Sequence, residues 1–137
     1  ILRTADAIGA DGVVLLDQVC DPFAVEAVRA SMGSLFAVKL ARTEFSAFNA
    51  WRSKEGLPMI GLSLKGKLGT EAYDAAHRTV VLMGNEQSGL SPEHETACDA
   101  LIKLPMKGRA DSLNLAIATA VIAYDHWRRR GYEGHRG

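Results

Sequence analysis

Short apolar runs alternate along the chain with segments in which apolar residues recur at helical spacing. Short β-branched and apolar runs bounded by Gly, Pro or Asp are typical of buried strands. They predict strands at Gly12–Asp17, Leu35–Leu40, Pro58–Leu64, Thr79–Met83 and Ala100–Leu104. Helical spacing predicts a helix before Gly12 and further helices at Pro22–Ser34, Thr43–Glu55, Glu71–Ala76, Pro92–Asp99 and Ser112–Arg130. This alternation predicts an α/β fold, with a parallel sheet covered by helices on both faces.

Length and composition predict one globular domain. A chain of 137 residues can bury most of its apolar surface without crosslinks. Cys20 and Cys98 stand singly, without the spacing of a metal site, which favours buried free thiols in a reducing compartment and no bound metal. The longest apolar run, Leu113–Tyr124, is shorter than the ~18 residues of a membrane span. No signal-peptide pattern is present, so we expect a cytoplasmic location away from membranes.

Polar loops follow three of the predicted strands: Ser63–Lys67, Gly84–Gly89 and Pro105–Asn114. Open parallel sheets bind ligands at the carboxyl ends of their strands, so these loops are the expected site. The formal net charge is zero, which argues against a generally basic nucleic-acid binder. The loops nevertheless contain four cations: Lys65, Lys67, Lys107 and Arg109. Such a group suits phosphates, and the alternative is four solvated loop cations.

The segment VVLMGNEQSGLSPE contains the most unusual of these loops. An apolar strand ends at Gly84, a second glycine follows at Gly89, and Glu86 lies between them. Ser91-Pro92-Glu93 is then typical of a helix start. The loop is neither a P-loop, which needs GK[ST], nor a dinucleotide-binding GxGxxG. Taken alone it is ambiguous, because a glycine after a strand is often only a turn and a loop glutamate is usually solvated.

Three segments, in order, resemble the motifs of one enzyme family. ILRTADAIGADGVVLL resembles the end of motif 1 of the SpoU (TrmH-like) branch of the SPOUT methyltransferases, and VVLMGNEQSGLSPE resembles motif 2. IKLPMKGRADSLNLAIATAVIAYDHWRR resembles motif 3, and VRASMGSLFAVKL resembles the segment between the first two motifs. The resemblance covers nearly the whole chain. It implies a homodimeric RNA ribose 2′-O-methyltransferase that uses S-adenosylmethionine, acts on ribosomal or transfer RNA, and ends in a deep trefoil knot.

The resemblance also implies residue roles. Arg3 matches the motif 1 arginine that assists activation of the ribose 2′-hydroxyl, and a fixed guanidinium can hold phosphate or stabilise a developing alkoxide. Glu86 is expected to orient that arginine. Ser112 and Asn114 are expected to line the side of the methyl group and the target nucleotide. Ser112 has a second expected role, as the N-cap of the long last helix.

Apart from Arg3, the expected cofactor and RNA contacts fall in the three loops or at the ends of the strands before them. Gly84 is expected to let the backbone approach the cofactor closely. The full set of implied cofactor residues is Leu62, Gly84, Asn85, Gly89, Leu104, Met106, Ser112 and Leu113. The implied RNA-binding residues are Arg3, Lys65, Lys107 and Arg109.

The last helix is expected to serve the dimer. Its stripe of Leu113, Ile117, Ala120, Val121 and Tyr124 is interleaved with alanines that allow close helix packing. Burial within one subunit is the alternative for part of this stripe. The run Arg128-Arg129-Arg130 fits either a solvated helix terminus that complements the dipole or an RNA contact.

The resemblance places residues 1–137 in one SpoU-type domain. The first strand and the motif 1 asparagine of this branch have no counterpart in the sequence, which suggests a fragment. The alternative function is a knotted RNA-binding module without catalysis, disfavoured because Arg3, Glu86, Ser112 and Asn114 are all present. A flavodoxin-like nucleotide binder is disfavoured further, because no phosphate-cradling loop is present.

Overall fold

A computed structural model of the chain describes residues 1–17, 38–69, 73–75, 78–85 and 88–136. They divide into two compact units, Ile1–Arg52 and Ser53–Gly137. The predicted helix Pro22–Ser34, Cys20 and Glu86 lie outside the described residues, as does the first half of the predicted strand Leu35–Leu40.

The first unit contains helix α1 (Leu2–Ala7), strand β1 (Gly12–Leu16), strand β2 (Lys39–Thr43) and helix α2 (Phe45–Lys54). The two strands are parallel, with Gly12 opposite Lys39 and Leu16 opposite Thr43. The predicted strand at Gly12–Asp17 is therefore confirmed, but its side chains are exposed or only half-buried. The second strand lies nearer the C-terminus than predicted.

A side-chain cap starts α2. Asp17 directly follows β1 in the left-handed conformation, with φ 59°, and its Oδ1 accepts a hydrogen bond of 2.9 Å from the backbone amide of Phe45. This bond satisfies one of the amides that a helix start leaves free. The Asp17 that closes the strand pattern in the sequence therefore also fixes where α2 begins.

The second unit contains strand β3 (Met59–Leu68), strand β4 (Val80–Leu82), helix α3 (Pro92–Ala97), strand β5 (Ala100–Lys103) and helix α4 (Leu115–Arg129). Its sheet has the order β4-β3-β5, and both neighbour pairs are parallel. Ile60, Ile102 and Ile122 are almost fully buried in one core cluster on the sheet. The described strands thus form two parallel sheets, one in each unit, where a single sheet was predicted.

Strand β3 departs from the prediction in a way that affects the site. Leu62 and Lys67 both pair with Ile102, so the four residues between them form an excursion, Ser63–Gly66, from an otherwise regular ladder. Past it, β3 pairs again through Leu68 and Lys103. The predicted loop Ser63–Lys67 is therefore part of the strand rather than its end. Such bulges re-aim side chains at the edges of sites.

The predicted helix Glu71–Ala76 is wrong over its described part. Tyr73, Asp74 and Ala75 are not helical. The backbone carbonyl of Tyr73 instead accepts a hydrogen bond of 2.7 Å from the Arg129 guanidinium, and the Tyr73 side chain is buried in the core cluster. A tertiary contact has overridden local helix spacing.

Candidate functional site

The carboxyl ends of β4, β3 and β5 lie side by side at one edge of the second unit's sheet. Gly61 pairs with Leu82, and Leu62 pairs with Ile102, so the three strands are in close register where they end or bulge. The sequence-predicted cofactor residues follow these points: Leu62 on β3, Gly84 after β4, and Leu104 and Met106 after β5. The sheet thus brings together residues that are up to 44 positions apart, from Leu62 to Met106.

Three of these residues belong to the same core cluster or pack against it. Leu104 is buried in the core cluster with Ile60 and Ile102, and Leu62 and Met106 pack against that cluster while partly exposed. Leu62 and Met106 therefore have surface left for a ligand. The Leu104 side chain has little, so a ligand at that position would meet its backbone.

The loop after β4 is closed by its own backbone. The amide of Gly89 donates to the carbonyl of Asn85 at 2.8 Å, and the amide of Asn85 donates back at 3.2 Å. Gly89 has φ 68°, a region that glycine enters without strain. A Cβ at Gly84 would clash with the backbone of Gly89 and Leu90. Gly84 is thus required by the loop's own closure, a reason that the sequence did not reveal.

Helix α3 starts where the sequence predicted. The Ser91 Oγ accepts a hydrogen bond of 3.2 Å from the amide of His94, and Pro92 occupies the first turn. Leu90, just before the cap, is buried. This anchors the C-terminal end of the Gly84–Gly89 loop. Glu86, the predicted catalytic carboxylate, lies in that loop outside the described residues.

The predicted N-cap of the last helix is wrong by two residues. Asn114, not Ser112, caps α4, and its Oδ1 accepts a hydrogen bond of 2.9 Å from the amide of Ala116. Both residues are good caps by type, so the pattern alone could not separate them. Ser112 and Leu113 are exposed in the segment between β5 and α4. The described structure gives Ser112 no part in the cap.

Two of the predicted RNA-binding cations, Lys107 and Arg109, are also exposed in this segment. The third, Lys65, lies on the β3 excursion, where its Nζ is 3.6 Å from Oε2 of Glu95 although its side chain remains 76% exposed. The fourth, Arg3, is exposed on α1 in the first unit. All four can meet a polyanion from solvent.

Glu95 is a site neighbour that sequence reasoning missed. Its Oε1 accepts a hydrogen bond of 3.1 Å from Ser63 Oγ, and Ser63 Oγ in turn accepts one of 3.2 Å from the amide of Lys65. The Glu95 side chain is only 16% exposed. No local signal distinguishes it from Glu93 in the sequence, because its role depends on partners some thirty residues away.

A second missed group joins α4 to the segment before β4. The Tyr73 hydroxyl and His126 Nδ1 are 2.9 Å apart, and the Arg129 guanidinium lies 4.8 Å from the centre of the Tyr73 ring. Burial raises the pKa of Tyr73 and, together with Arg130 and Arg129, lowers the pKa of His126. This arrangement fixes the C-terminal half of α4 against the core.

Helix α4 presents different faces to core and solvent. Ala118 and Ile122 are buried, whereas four apolar side chains of the predicted stripe are at least two-fifths exposed: Leu113, Ile117, Val121 and Tyr124. Isolated exposed apolar residues are common, but a row of them on one helix face is typical of an interaction surface.

Two features are absent from the part of the chain that the structure describes. The described residues contain no group of three or more His, Cys, Asp or Glu side chains arranged to hold a metal ion. None of their helices combines the length and apolar character that a bilayer crossing requires. Cys98 is a free thiol and is half-buried.

The sequence profile of the SpoU rRNA Methylase family matches residues 1–124. The chain is 35% identical over 136 residues to a Streptomyces viridochromogenes protein named 23S rRNA (uridine(2479)-2'-O)-methyltransferase, covering 95% of this chain and 47% of the relative. It is 30% identical over 124 residues to the Bacillus subtilis 23S rRNA (guanosine(2553)-2'-O)-methyltransferase RlmP, covering 90% and 50%. The chain therefore spans about half the length of these relatives.

Solved structures of methyltransferases are also similar to this chain. An AdoMet-bound rRNA methyltransferase from Sinorhizobium meliloti superposes with a TM-score of 0.80 at 44% identity, over 93% of this chain and 49% of that one. The SpoU methyltransferase AviRb from Streptomyces viridochromogenes, in complex with AdoMet, superposes with a TM-score of 0.83 at 33% identity, over 96% and 55%.

Proposed function

The chain belongs to the SpoU rRNA methylase family, and on that premise we propose that residues 1–137 form a methyltransferase domain. It transfers a methyl group from S-adenosylmethionine to a ribose 2′-hydroxyl of ribosomal or transfer RNA. One observation carries the proposal: the residues expected to hold the cofactor follow three adjacent parallel strands at one sheet edge. That edge is where open parallel sheets bind ligands.

The residues at this edge fit S-adenosylmethionine. Its adenine ring is flat with apolar faces, and Leu62 and Met106 offer half-exposed apolar surface on the core cluster. The backbone after β5, at Leu104, and the closed Gly84–Gly89 loop offer polar main-chain groups beside that surface. When bound, the cofactor supplies an activated methyl group on a sulfonium.

The target hydroxyl must be activated by the chain's own residues, because a neutral ribose hydroxyl is a poor nucleophile. Arg3 supplies a guanidinium that holds the adjoining phosphate or stabilises the alkoxide as it develops. Its very high pKa makes it a poor general base. By the family resemblance, Glu86 is the carboxylate expected to orient this arginine.

Ser112 and Asn114 are the residues proposed to line the methyl group and the target nucleotide. The Oδ1 of Asn114 is committed to the α4 cap, so its Nδ2 is the atom that can donate to the ribose or the cofactor. Ser112 is exposed and has a hydroxyl that can donate or accept. The exposed Lys65, Lys107 and Arg109 neutralise RNA phosphates, which provides affinity without sequence information.

The test has two stages. Calorimetric titration of the chain with S-adenosylmethionine is expected to give one saturable site. Transfer is then measured with methyl-labelled cofactor on transcribed 23S rRNA and on a tRNA pool, followed by alkaline hydrolysis. A 2′-O-methyl group blocks cleavage at its own phosphodiester, so label recovered in alkali-resistant dinucleotides identifies the position methylated.

The two stages separate this proposal from its rival. A folded chain that binds RNA but gives no heat with S-adenosylmethionine would contradict the methyltransferase and favour a non-catalytic RNA-binding module. Label in alkali-sensitive mononucleotides would keep the methyltransferase but contradict the ribose 2′-hydroxyl as its target.

A homodimer belongs to the same proposal. The exposed apolar row of Ile117, Val121 and Tyr124 on α4, with Leu113 just before the helix, supports it. We expect Ile117→Glu to convert a dimer to a monomer in sedimentation equilibrium. Leu68→Glu, which adds the same charge at an apolar residue that is even more exposed, is expected to leave the dimer intact. A monomeric parent chain would contradict the dimer.

The deep trefoil knot is likewise proposed from family membership. In this arrangement the segment that includes α4 passes through a loop formed earlier in the second unit. A crystal structure that traces the backbone from β4 through Arg129 decides it, because an unthreaded trace would contradict the knot.

A further inference from the structure

The β3 excursion, Ser63–Gly66, connects directly to the cofactor end of the sheet. We propose that Glu95 is a positioning residue that fixes this excursion, so that the affinity for S-adenosylmethionine depends on its carboxylate. The inference rests on the proposed function, since it concerns the same sheet edge. It assigns a role to a residue outside the three motif segments that carry the family resemblance.

The pairing of β3 with β5 stops before the excursion and resumes after it at the same residue of β5. Leu62 and Lys67 both pair with Ile102, so the backbone between them is held by neither neighbouring strand. Its returning end is fixed by close packing, because a Cβ at Gly66 would lie 2.5 Å from the carbonyl carbon of Ile102. The beginning of the excursion, next to Leu62, needs a different support.

Glu95 provides that support with both of its oxygens. Oε1 accepts the hydrogen bond of 3.1 Å from Ser63 Oγ, and Oε2 lies 3.6 Å from Lys65 Nζ. Ser63 Oγ also accepts from the amide of Lys65 at 3.2 Å, which closes a turn around the hydroxyl. One carboxylate therefore fixes two of the four excursion residues. Since the carboxylate is mostly shielded from water, its hydrogen bond from Ser63 is the stronger of the two interactions, and the pair with the exposed Lys65 adds little.

The position of Glu95 in the chain links two cofactor segments. It lies in the first turn of α3, where its amide donates to the carbonyl of Ser91 at 2.9 Å, and a carboxylate is favoured by the helix dipole there. Helix α3 directly follows the Gly84–Gly89 loop. Glu95 thus connects the loop after β4 to the residue after Leu62. A ligand that needs both segments binds more tightly when they are held in place beforehand.

The test compares three variants by calorimetric titration with S-adenosylmethionine. Glu95→Ala removes both interactions, and we expect the Kd to rise roughly tenfold, the size of one charge-assisted hydrogen bond. Glu95→Gln keeps an acceptor for Ser63 and is expected to lose less. Glu93→Gln, the matched control in the same turn of α3, is exposed and is expected to bind like the parent. In methyl transfer, KM for the cofactor should rise with kcat nearly unchanged.

A double-mutant cycle separates positioning from general stability. If Glu95 acts through Ser63, then Ser63→Ala should weaken binding in the parent but add little in the Glu95→Ala background. Additive losses, or an unchanged Kd in both Glu95 variants, would overturn the inference while leaving the methyltransferase in place. Should Glu95→Ala fail to fold, the near-isosteric Glu95→Gln replaces it, and its Kd alone and combined with Ser63→Ala is compared in the same way. No heat from the parent chain would instead overturn the proposed function, and the inference with it.

Discussion

Asp99 and Met59 exchange two hydrogen bonds across neighbouring strand starts. The amide of Asp99 donates to the carbonyl of Met59 at 2.7 Å, and the amide of Met59 donates to Oδ2 of Asp99 at 2.7 Å. Met59 is completely buried, so its amide has no access to water as a substitute partner. The pair aligns β3 with β5 at the end opposite the candidate site.

Asp99→Ala is expected to lower the free energy of unfolding by about 1–3 kcal/mol, because it leaves a buried amide without its acceptor. Urea denaturation followed by circular dichroism measures the loss. Asp111→Ala, which removes an exposed carboxylate from the loop before α4, is the control and should change stability little. Equal effects of the two variants would contradict the role of the Asp99 side chain.

Alanine substitutions at Asn114 and Ser112 are expected to affect the free energy of unfolding differently. Asn114→Ala removes the α4 cap and should cost about 1 kcal/mol, whereas Ser112→Ala should cost almost nothing. Both variants are expected to slow methyl transfer. If Ser112→Ala is the destabilising variant, the cap assigned to Asn114 is wrong.

Gly84→Ala should open the loop after β4, because its Cβ would clash with the backbone of Gly89 and Leu90. We expect a measurable loss of stability together with a Kd for S-adenosylmethionine at least several-fold higher. Gly108→Ala is the matched control: a Cβ there meets nothing within 4 Å. Comparable cofactor affinity in the two variants would contradict a role for the closed loop.

Arg3→Ala is expected to reduce methyl transfer by roughly 10²-fold or more, the range in which loss of one transition-state contact falls. Cofactor affinity should stay near that of the parent, since Arg3 acts on the RNA ribose. Single-turnover transfer and calorimetry measure the two effects separately. An Arg3→Ala variant with full transfer would exclude the arginine from catalysis.

His126 should make stability depend on pH. Burial, with help from Arg130 and Arg129 and against the opposing effect of Asp125, holds the pKa of His126 below its usual 6.5. As the pH falls below about 6.5, His126 therefore binds a proton in the unfolded chain while it is still neutral in the folded chain. Its contribution is fully present above that pH and is lost as pH falls towards the folded-state pKa.

Urea midpoints at pH 5.5 and 7.5 test this dependence. The parent chain should lose more stability on acidification than His126→Gln, which keeps a hydrogen-bonding side chain beside Tyr73 but cannot titrate. The rest of the chain is the same in both proteins, so the difference between them reports His126. Identical pH dependence in the two would contradict the lowered pKa.

Local signals in the sequence predicted the elements whose causes are local. The Ser91-Pro92 start of α3 and the strand before Gly84 could be predicted because a cap and an apolar run act within a few residues. The turn at the loop glycines could also be predicted from the sequence. Why Gly84 must be glycine became clear only from its contact with the backbone of Gly89.

Long-range contacts account for what the sequence could not predict. The β3 excursion is defined by Ile102, and the non-helical Tyr73 segment by Arg129, partners that are far along the chain. Glu95 could not be distinguished from Glu93 until Ser63 and Lys65 were placed beside it. The motif resemblance supplied the expected roles of the site residues without any of this geometry.

The β3 excursion has an evolutionary consequence. Since the strand rejoins β5 opposite the residue where it departed, adding or deleting a residue within Ser63–Gly66 leaves the ladder on both sides in register. Between Ser63, which Glu95 holds, and Gly66, which packs on Ile102, the residues Leu64 and Lys65 can therefore change in number and chemistry while the sheet keeps its register. We expect enzymes of this fold to diversify here first, and a library randomised at Leu64 and Lys65 to be a productive start for altering substrate preference.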